Sequence, residues 1–199
     1  MFALVGLDEV GRGSACGALF ACAVALPDDY RKQAGPLLPR LRDSKTLSAR
    51  QRQAVAAWIT RNALRWEIEA VPVEDINRNG IQWANRSAFE RLICRIPAQR
   101  YIVDGTLRLE LPEAYQGRVQ TRVRAEDACH AVAAASILAK VARDEEVARA
   151  ASTWPGYGWE RNAGYLTAEH IAALRTLGPC PYHRVQYVNT ALAKAAPAT

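Results

Sequence analysis

The sequence predicts an α/β protein, a mixed β-sheet with helices on its faces. Three observations carry that expectation. After an opening pair of strands, strand-like and helix-like segments alternate along the chain. Two of the apolar runs, 2–8 and 100–104, each end on an acid. A long Ala-rich segment from Asp127 to about Ala150 keeps Val132, Ile137, Leu138 and Val141 at helical spacing.

The elements follow in order. Residues 2–7 form a short apolar strand that runs into Asp8 and Glu9. A Gly-rich segment, 11–17, joins it to a second apolar strand from Ala18 to Leu26, so the two read as a hairpin-like pair. Residues 27–47 read as a polar, Pro-containing connection. Ser48-Ala49-Arg50-Gln51 matches a capping box and opens a helix to about Ala63. From Arg65 to Ala70, Trp66, Ile68 and Ala70 alternate with Glu67 and Glu69, the pattern of a half-buried strand. Ile81 to Cys94 is helical by the spacing of Trp83, Phe89, Leu92 and Ile93, and Val119 to Val123 alternates as a strand. Beyond the Ala-rich helix, a loop holds Trp154 to Gly158. Thr167 caps a helix that stops at Gly178-Pro179, and Arg184 to Ala195 forms a last one before a frayed tail at 196–199.

A length of 199 residues fits one domain, 1–199, with a C-terminal helical part from about 150. The net charge of +6 favours an anionic partner, and nucleic acid heads that class, with a solvated basic surface as the alternative. Five cysteines without a C-x-x-C pair or zinc spacing read as reduced thiols. No secretory leader and no apolar run of spanning length is visible, so the expected location is cytoplasmic, away from membranes, with a monomer as the simplest state.

The chemistry concentrates in acids. Asp8, Glu9 and Asp104 stand at strand ends and Asp127 at a helix start. If the two acid-bearing strands are parallel neighbours, their carboxylates meet at one sheet edge, where sites in such folds lie. Carboxylates that close repel unless cations sit between them. Two Mg²⁺ or Mn²⁺ ions, typically about 3.5–4 Å apart, would relieve this and suit an in-line phosphoryl displacement. Gly11-Arg12-Gly13 offers backbone N–H groups beside a guanidinium, a surface for phosphate. Tyr157 and Tyr165 sit in Gly-rich loops, where an exposed ring could stack on a base or sugar. Lys45, Lys140, Arg143 and Arg184 are the cations in motif-like contexts, while a structural hydrogen bond is the expected task of His183.

Taken together, these segments resemble ribonuclease HII. The resemblance rests on Gly6-Leu7-Asp8-Glu9-Val10-Gly11-Arg12-Gly13, Asp43-Ser44-Lys45-Thr46-Leu47 and Val103-Asp104-Gly105. It continues through the run from Ala133-Ala134-Ala135-Ser136 to Lys140-Val141-Ala142-Arg143-Asp144, then Gly164-Tyr165-Leu166-Thr167 with His170, and His183-Arg184. It implies a ribonuclease H-like fold with a C-terminal helical extension. It also implies endonucleolytic cleavage of RNA paired to DNA, single ribonucleotides embedded in duplex DNA included. By position, it implies that Asp8, Glu9, Asp104 and Asp127 bind the metal ions. Gly11, Arg12 and Gly13 would sense the ribose 2′-hydroxyl, and Tyr165 would pack on the following deoxyribose. Lys45, Lys140 and Arg143 would contact phosphate or support the site. Three departures stand out. Glu126-Asp127 replaces the usual Gly-Asp, so either Glu126 adds charge to the site or Asp127 approaches it differently. Ser14 replaces a frequent Pro, and the helix at 81–94 fits the family poorly. The N-terminal extension typical of ribonuclease HIII is missing, which disfavours that sister family.

Overall fold

The computed structural model describes residues 1–42 and 47–194. Five strands form one sheet: β1 (Phe2–Val10), β2 (Leu19–Ala25), β3 (Arg65–Val71), β4 (Ala98–Asp104) and β5 (Val119–Arg122), in the order β3-β2-β1-β4-β5. The β1/β2 and β2/β3 pairs are antiparallel, whereas β1/β4 and β4/β5 are parallel. The expected hairpin therefore forms, and the two acid-ended strands are parallel neighbours, with Leu7 opposite Val103.

Helices cover both faces. On one side lie α3 (Ala49–Asn62) and α6 (His130–Thr153), which bury Phe20, Cys22, Val24, Val55, Ile59, Ile137 and Leu138. On the other lies α5 (Ile81–Arg95), whose Ala88, Phe89, Leu92 and Ile93 pack on Val5, Leu7, Leu19 and Val103. Ser48 caps α3 through a complete capping box with Gln51. The contact between α6 and β1 depends on Gly6: a Cβ there would stand 2.2 Å from the Val132 main-chain nitrogen. Only glycine admits that approach. It brings the next turn of α6, with Ser136, alongside Asp8.

Three stretches differ from the sequence reading. The polar connection at 27–47 contains two short helices, α1 (Tyr30–Ala34) and α2 (Leu38–Arg42), joined by a 3₁₀ turn. Each is too short for a periodic apolar stripe to show. A short helix, α4 (Val73–Asn79), follows β3 and stops at Gly80, whose φ is 85°. In β3 the acidic face is the better covered one. Glu67 and Glu69 lie under Arg91 and Arg95 of α5, with Arg91 2.9 Å from Glu69, while Trp66 is exposed. Alternation marked two faces correctly, but ion pairing rather than apolarity decided which of them is covered.

Beyond α6 come α7 (Trp159–Asn162), α8 (Ala168–Leu177) and α9 (Val185–Lys194). Thr167 caps α8 by accepting from the His170 N–H, as its position predicted. This part folds back over the loop after β1. Ala15 N–H donates to Gly164 O at 2.9 Å and Arg184 N–H to Ala15 O at 2.8 Å. Asp43, Ser44, Lys45 and Thr46 and the tail 195–199 lie outside the described residues. Among the described residues, no helix is long and apolar enough to cross a membrane.

Candidate active site

Strand geometry sends Asp8 and Glu9 to opposite faces of β1, because successive side chains alternate. Asp8 points toward α6, where the Ser136 hydroxyl reaches it, and Glu9 toward α5, beside the Asn85 amide. Both acids belong to β1 itself, which continues to Val10, rather than to a turn after it. Asp104 ends the neighbouring strand. Its Oδ1 accepts the Ala125 N–H at 2.7 Å, which ties the 3₁₀ turn Ala125–Asp127 to the end of β4. These elements enclose a cleft of about 360 Å³ lined by Asp8, Glu9, Val10, Arg52, Asp104, Glu126, Ser136, Lys140 and Tyr165. A larger cavity, about 540 Å³ between α5, α8 and α9, is apolar and carries no acid.

The fourth acid in this cleft is Glu126. Its side chain is buried at 6% exposure, while its neighbour Asp127 is half-exposed and pairs with Arg124 Nε at 2.9 Å. The sequence reading placed Asp127 at the start of the long helix and in the metal site. The structure starts α6 three residues later, at His130, and closes a 3₁₀ turn first. That turn begins after Arg124 in the left-handed region, φ 54°, and rotates Glu126 inward and Asp127 outward.

Electrostatics mark the acids as a charged group under strain. Burial, then the Glu9 charge, pushes Asp8 up to about 8. Burial likewise pushes Glu9 up to about 7, with Arg12 pulling the other way. Glu9 Oε2 is buried without a hydrogen-bond partner among the described residues. Also among the described residues, no three His, Cys, Asp or Glu side chains are gathered tightly enough to hold an ion without moving. Opposed carboxylates, a partnerless oxygen and oxygen-only donors fit a hard divalent cation.

The rim is cationic and aromatic. Arg52 of α3 and Lys140 of α6 both pair with Asp144, Arg52 at 3.3 Å, so one acid holds two cations at the cleft edge. Tyr165 is 43% exposed at the mouth, with the Arg143 guanidinium 5.6 Å from its ring centroid. Tyr157 is instead buried and donates to Gly178 O at 2.8 Å, which removes it as a stacking surface. Arg143 is fully buried, donates to Ala163 O at 2.8 Å and lies against Gly11, where a Cβ would stand 2.5 Å from its Nε. It supports the glycine turn and cannot reach a phosphate. Arg12 and Gly13 are exposed and Gly11 is buried. His183 is structural: its Nδ1 accepts the Cys180 N–H at 3.0 Å and its Nε2 lies 3.1 Å from that of His170.

Sequence reasoning missed Arg52, Asn85 and Ser136, and signals for two of them existed. Arg52 falls on the apolar stripe of its own helix with Val55, Ala56 and Ile59, and Asn85 falls on that of α5 with Ala88, Phe89 and Leu92. A polar residue within a buried stripe needs a partner.

The chain is similar to known proteins over most of its length. The family model for ribonuclease HII matches residues 5–190. A ribonuclease HII of Synechococcus sp. (strain CC9311) is 40% identical over 191 residues, covering 94% of this chain and 93% of that protein. Among solved structures, the Archaeoglobus fulgidus ribonuclease HII, seen in complex with PCNA, superposes with a TM-score of 0.77 at 25% identity, covering 94% of each chain. Ribonuclease H2 of Pyrococcus horikoshii OT3 gives the same score at 21% identity, covering 96% of this chain and 97% of that one, and supports the fold. The expected ribonuclease H-like fold is thus present, and a match across nearly the whole length places the chain in the ribonuclease HII family, as a ribonuclease H-type endonuclease.

Proposed function

We propose that this endonuclease hydrolyses the RNA strand of RNA–DNA hybrids and cuts on the 5′ side of single ribonucleotides embedded in duplex DNA, so that it serves ribonucleotide removal. The observation that carries this reading is the junction of two features at one cleft. Acids from β1, β4 and the turn at 125–127 line one cleft with the exposed Tyr165, and that ring stands beside the glycine turn, where a Cβ on Gly13 would lie 3.7 Å from it. A DNA-only nuclease has use for the acids but none for a backbone surface that senses a 2′-hydroxyl.

Asp8, Glu9, Asp104 and Glu126 would hold Mg²⁺ or Mn²⁺, with Glu126 taking the place that sequence position gave to Asp127. Two such ions, when bound, would supply a water nucleophile at neutral pH and charge stabilisation for the leaving oxygen. The residues do the rest. Ser136 fixes Asp8 by its hydroxyl, and the Ala125 N–H fixes Asp104. Arg52 and Lys140 face the phosphates from the rim. The amides of Arg12 and Gly13 approach the ribose closely, since the glycines flanking Arg12 carry no side chain to intervene. Tyr165 packs on the sugar that follows. Water attacks phosphorus, the bond to the 3′-oxygen breaks, and the products are a 3′-hydroxyl and a 5′-phosphate. The 2′-hydroxyl is recognised and does not react. Phosphate contacts hold the duplex with little sequence preference and marked salt dependence.

The test is a labelled duplex carrying one ribonucleotide, incubated with Mg²⁺, with Mn²⁺ and with EDTA, beside an all-DNA duplex. A single metal-dependent cut on the 5′ side of the ribonucleotide, with the control intact, is the expected result. Cleavage of the all-DNA duplex, or binding without any cut, overturns the reading.

A further inference from the structure

Arg184 is fully buried, yet its charge serves neither the cleft nor the surface. Its guanidinium gathers the carbonyls of the loop that follows β1. Nε donates to Gly17 O at 2.9 Å and Nη2 to Ala18 O at 3.0 Å. Nη1 donates to Gly11 O at 2.6 Å, Ser14 O at 2.9 Å and, more weakly, Arg12 O at 3.3 Å. Tyr187, one turn along α9, donates its hydroxyl to the same Arg12 O at 2.6 Å. A buried charge is costly, so its spending on main-chain carbonyls needs a reason.

Peptide geometry supplies one. The peptide bonds here are all trans, and a trans peptide points its C=O and the following N–H in opposite directions. With the carbonyls of Gly11 and Arg12 drawn inward to Arg184 and Tyr187, the N–H groups of Arg12 and Gly13 point outward. Arg12 and Gly13 are themselves exposed. Gly11, at φ 89°, makes the inward bend possible. Successive outward amides form a concavity that accepts an electronegative atom.

We propose that Arg184 is the positioning residue of the glycine turn. From α9, with Tyr187 as its second support, it aims the amides of Arg12 and Gly13 at the substrate sugar, so preference for a ribonucleotide depends on it. This rests on the reading of Gly11–Gly13 as the ribose-sensing turn. The arrangement also gives the C-terminal helical part a task, that of holding a recognition loop built on β1.

The test measures binding preference, which a purely structural arginine would leave unchanged. In an Asp104→Asn background, with Mg²⁺ present, affinity is measured for a duplex with one ribonucleotide and for the same duplex in DNA alone. Arg184→Lys and Tyr187→Phe are compared with the unaltered turn, each checked for cooperative melting. Arg184→Lys is expected to lower the ribonucleotide preference about tenfold, the scale of one well-formed hydrogen bond, and to leave DNA affinity within about twofold. Tyr187→Phe, which keeps the core, is expected to lower it about threefold on the same scale. Undiminished preference in both variants overturns the proposal, and Tyr187→Phe alone decides if Arg184→Lys does not fold. Absence of any preference in the unaltered turn instead refutes the ribose-sensing reading itself and removes the proposal with it.

Discussion

Glu126 and Asp127 are adjacent carboxylates that the fold sends in opposite directions, and single substitutions separate their roles. Glu126→Gln keeps size and hydrogen-bonding shape and removes one charge from the cleft. A carboxylate about 4 Å from a cationic centre, at an effective dielectric of about 20, contributes about 4 kcal/mol per unit charge. Partial compensation by Asp8, Glu9 and Asp104 reduces this, so a loss of about 10²–10³-fold in turnover is expected. The apparent affinity for Mn²⁺ should fall in parallel, by about 10–100-fold. Asp127→Asn removes a pair with Arg124 whose side chains are 50% and 75% exposed. Such a surface pair is worth under about 1 kcal/mol, so turnover should change by less than about fivefold. Single-turnover cleavage of a duplex with one ribonucleotide, at fixed protein and titrated Mn²⁺, measures both quantities. A hundredfold loss in Asp127→Asn beside near-normal Glu126→Gln would refute the geometry of the 125–127 turn.

Other expectations follow from the same cleft. Asp8→Asn or Asp104→Asn should abolish turnover with the melting transition retained, and full activity in either sinks the metal-site assignment. Tyr165→Ala, at an exposed ring, should slow cleavage at the RNA–DNA junction at least tenfold with stability nearly unchanged, since stacking on a nucleotide is worth about 1–3 kcal/mol. Because Asp8 and Glu9 are held up to about 8 and about 7, the metal-free fold loses stability as pH rises from the ordinary carboxylate range through those values. Mn²⁺ should therefore raise the melting temperature more at about pH 8.5 than at about pH 6, and equal shifts would count against a cation between these acids. Burial, with His170 nearby, holds His183 down to about 4. The unfolded chain takes up that proton near pH 6.5, so this contribution is whole above about 6.5 and fades toward 4, by up to about 3 kcal/mol. An NMR titration of the ring with a midpoint near its ordinary value would contradict it.

What the sequence disclosed, and what it hid, divides along a physical line. Strands and long helices announce themselves because their apolar residues repeat with a fixed period. β1, β2 and β4 were legible as short apolar runs, β3 and β5 by alternation, α3 by its capping box, and α5 and α6 by helical spacing, and the parallel neighbouring of β1 and β4 could be posed as a condition. Short pieces such as α1, α2 and α4 carry no full period and were missed or read as connection. The same limit governed the site. Asp8 and Asp104 end apolar runs that the sequence displays directly, and the structure brings both to one cleft. Glu126 lies in a 3₁₀ turn, where the direction of a side chain depends on one left-handed residue, Arg124. Reading Asp127 as a helix-start acid applied a helical rule three residues before the helix begins.

The distribution of buried charge makes a related point. Arg143 and Arg184 are both fully buried, and both lie against the loop from Gly11 to Ala18, one on the Gly11 α-carbon and the other on its carbonyls. The cations that face the cleft, Arg52 and Lys140, are instead shared through Asp144 at its edge. Cationic side chains of one formal kind thus do two kinds of work. A guanidinium with several donors in a fixed fork suits the gathering of carbonyls from a turn, a task that a lysine ammonium cannot copy. Net positive charge, which pointed toward an anionic partner, therefore overcounts the surface available to it: part of that charge is invested in the shape of a loop. The surface open to an anionic partner is consequently narrower than composition implies, in line with the proposed search for single ribonucleotides rather than the mere holding of a duplex.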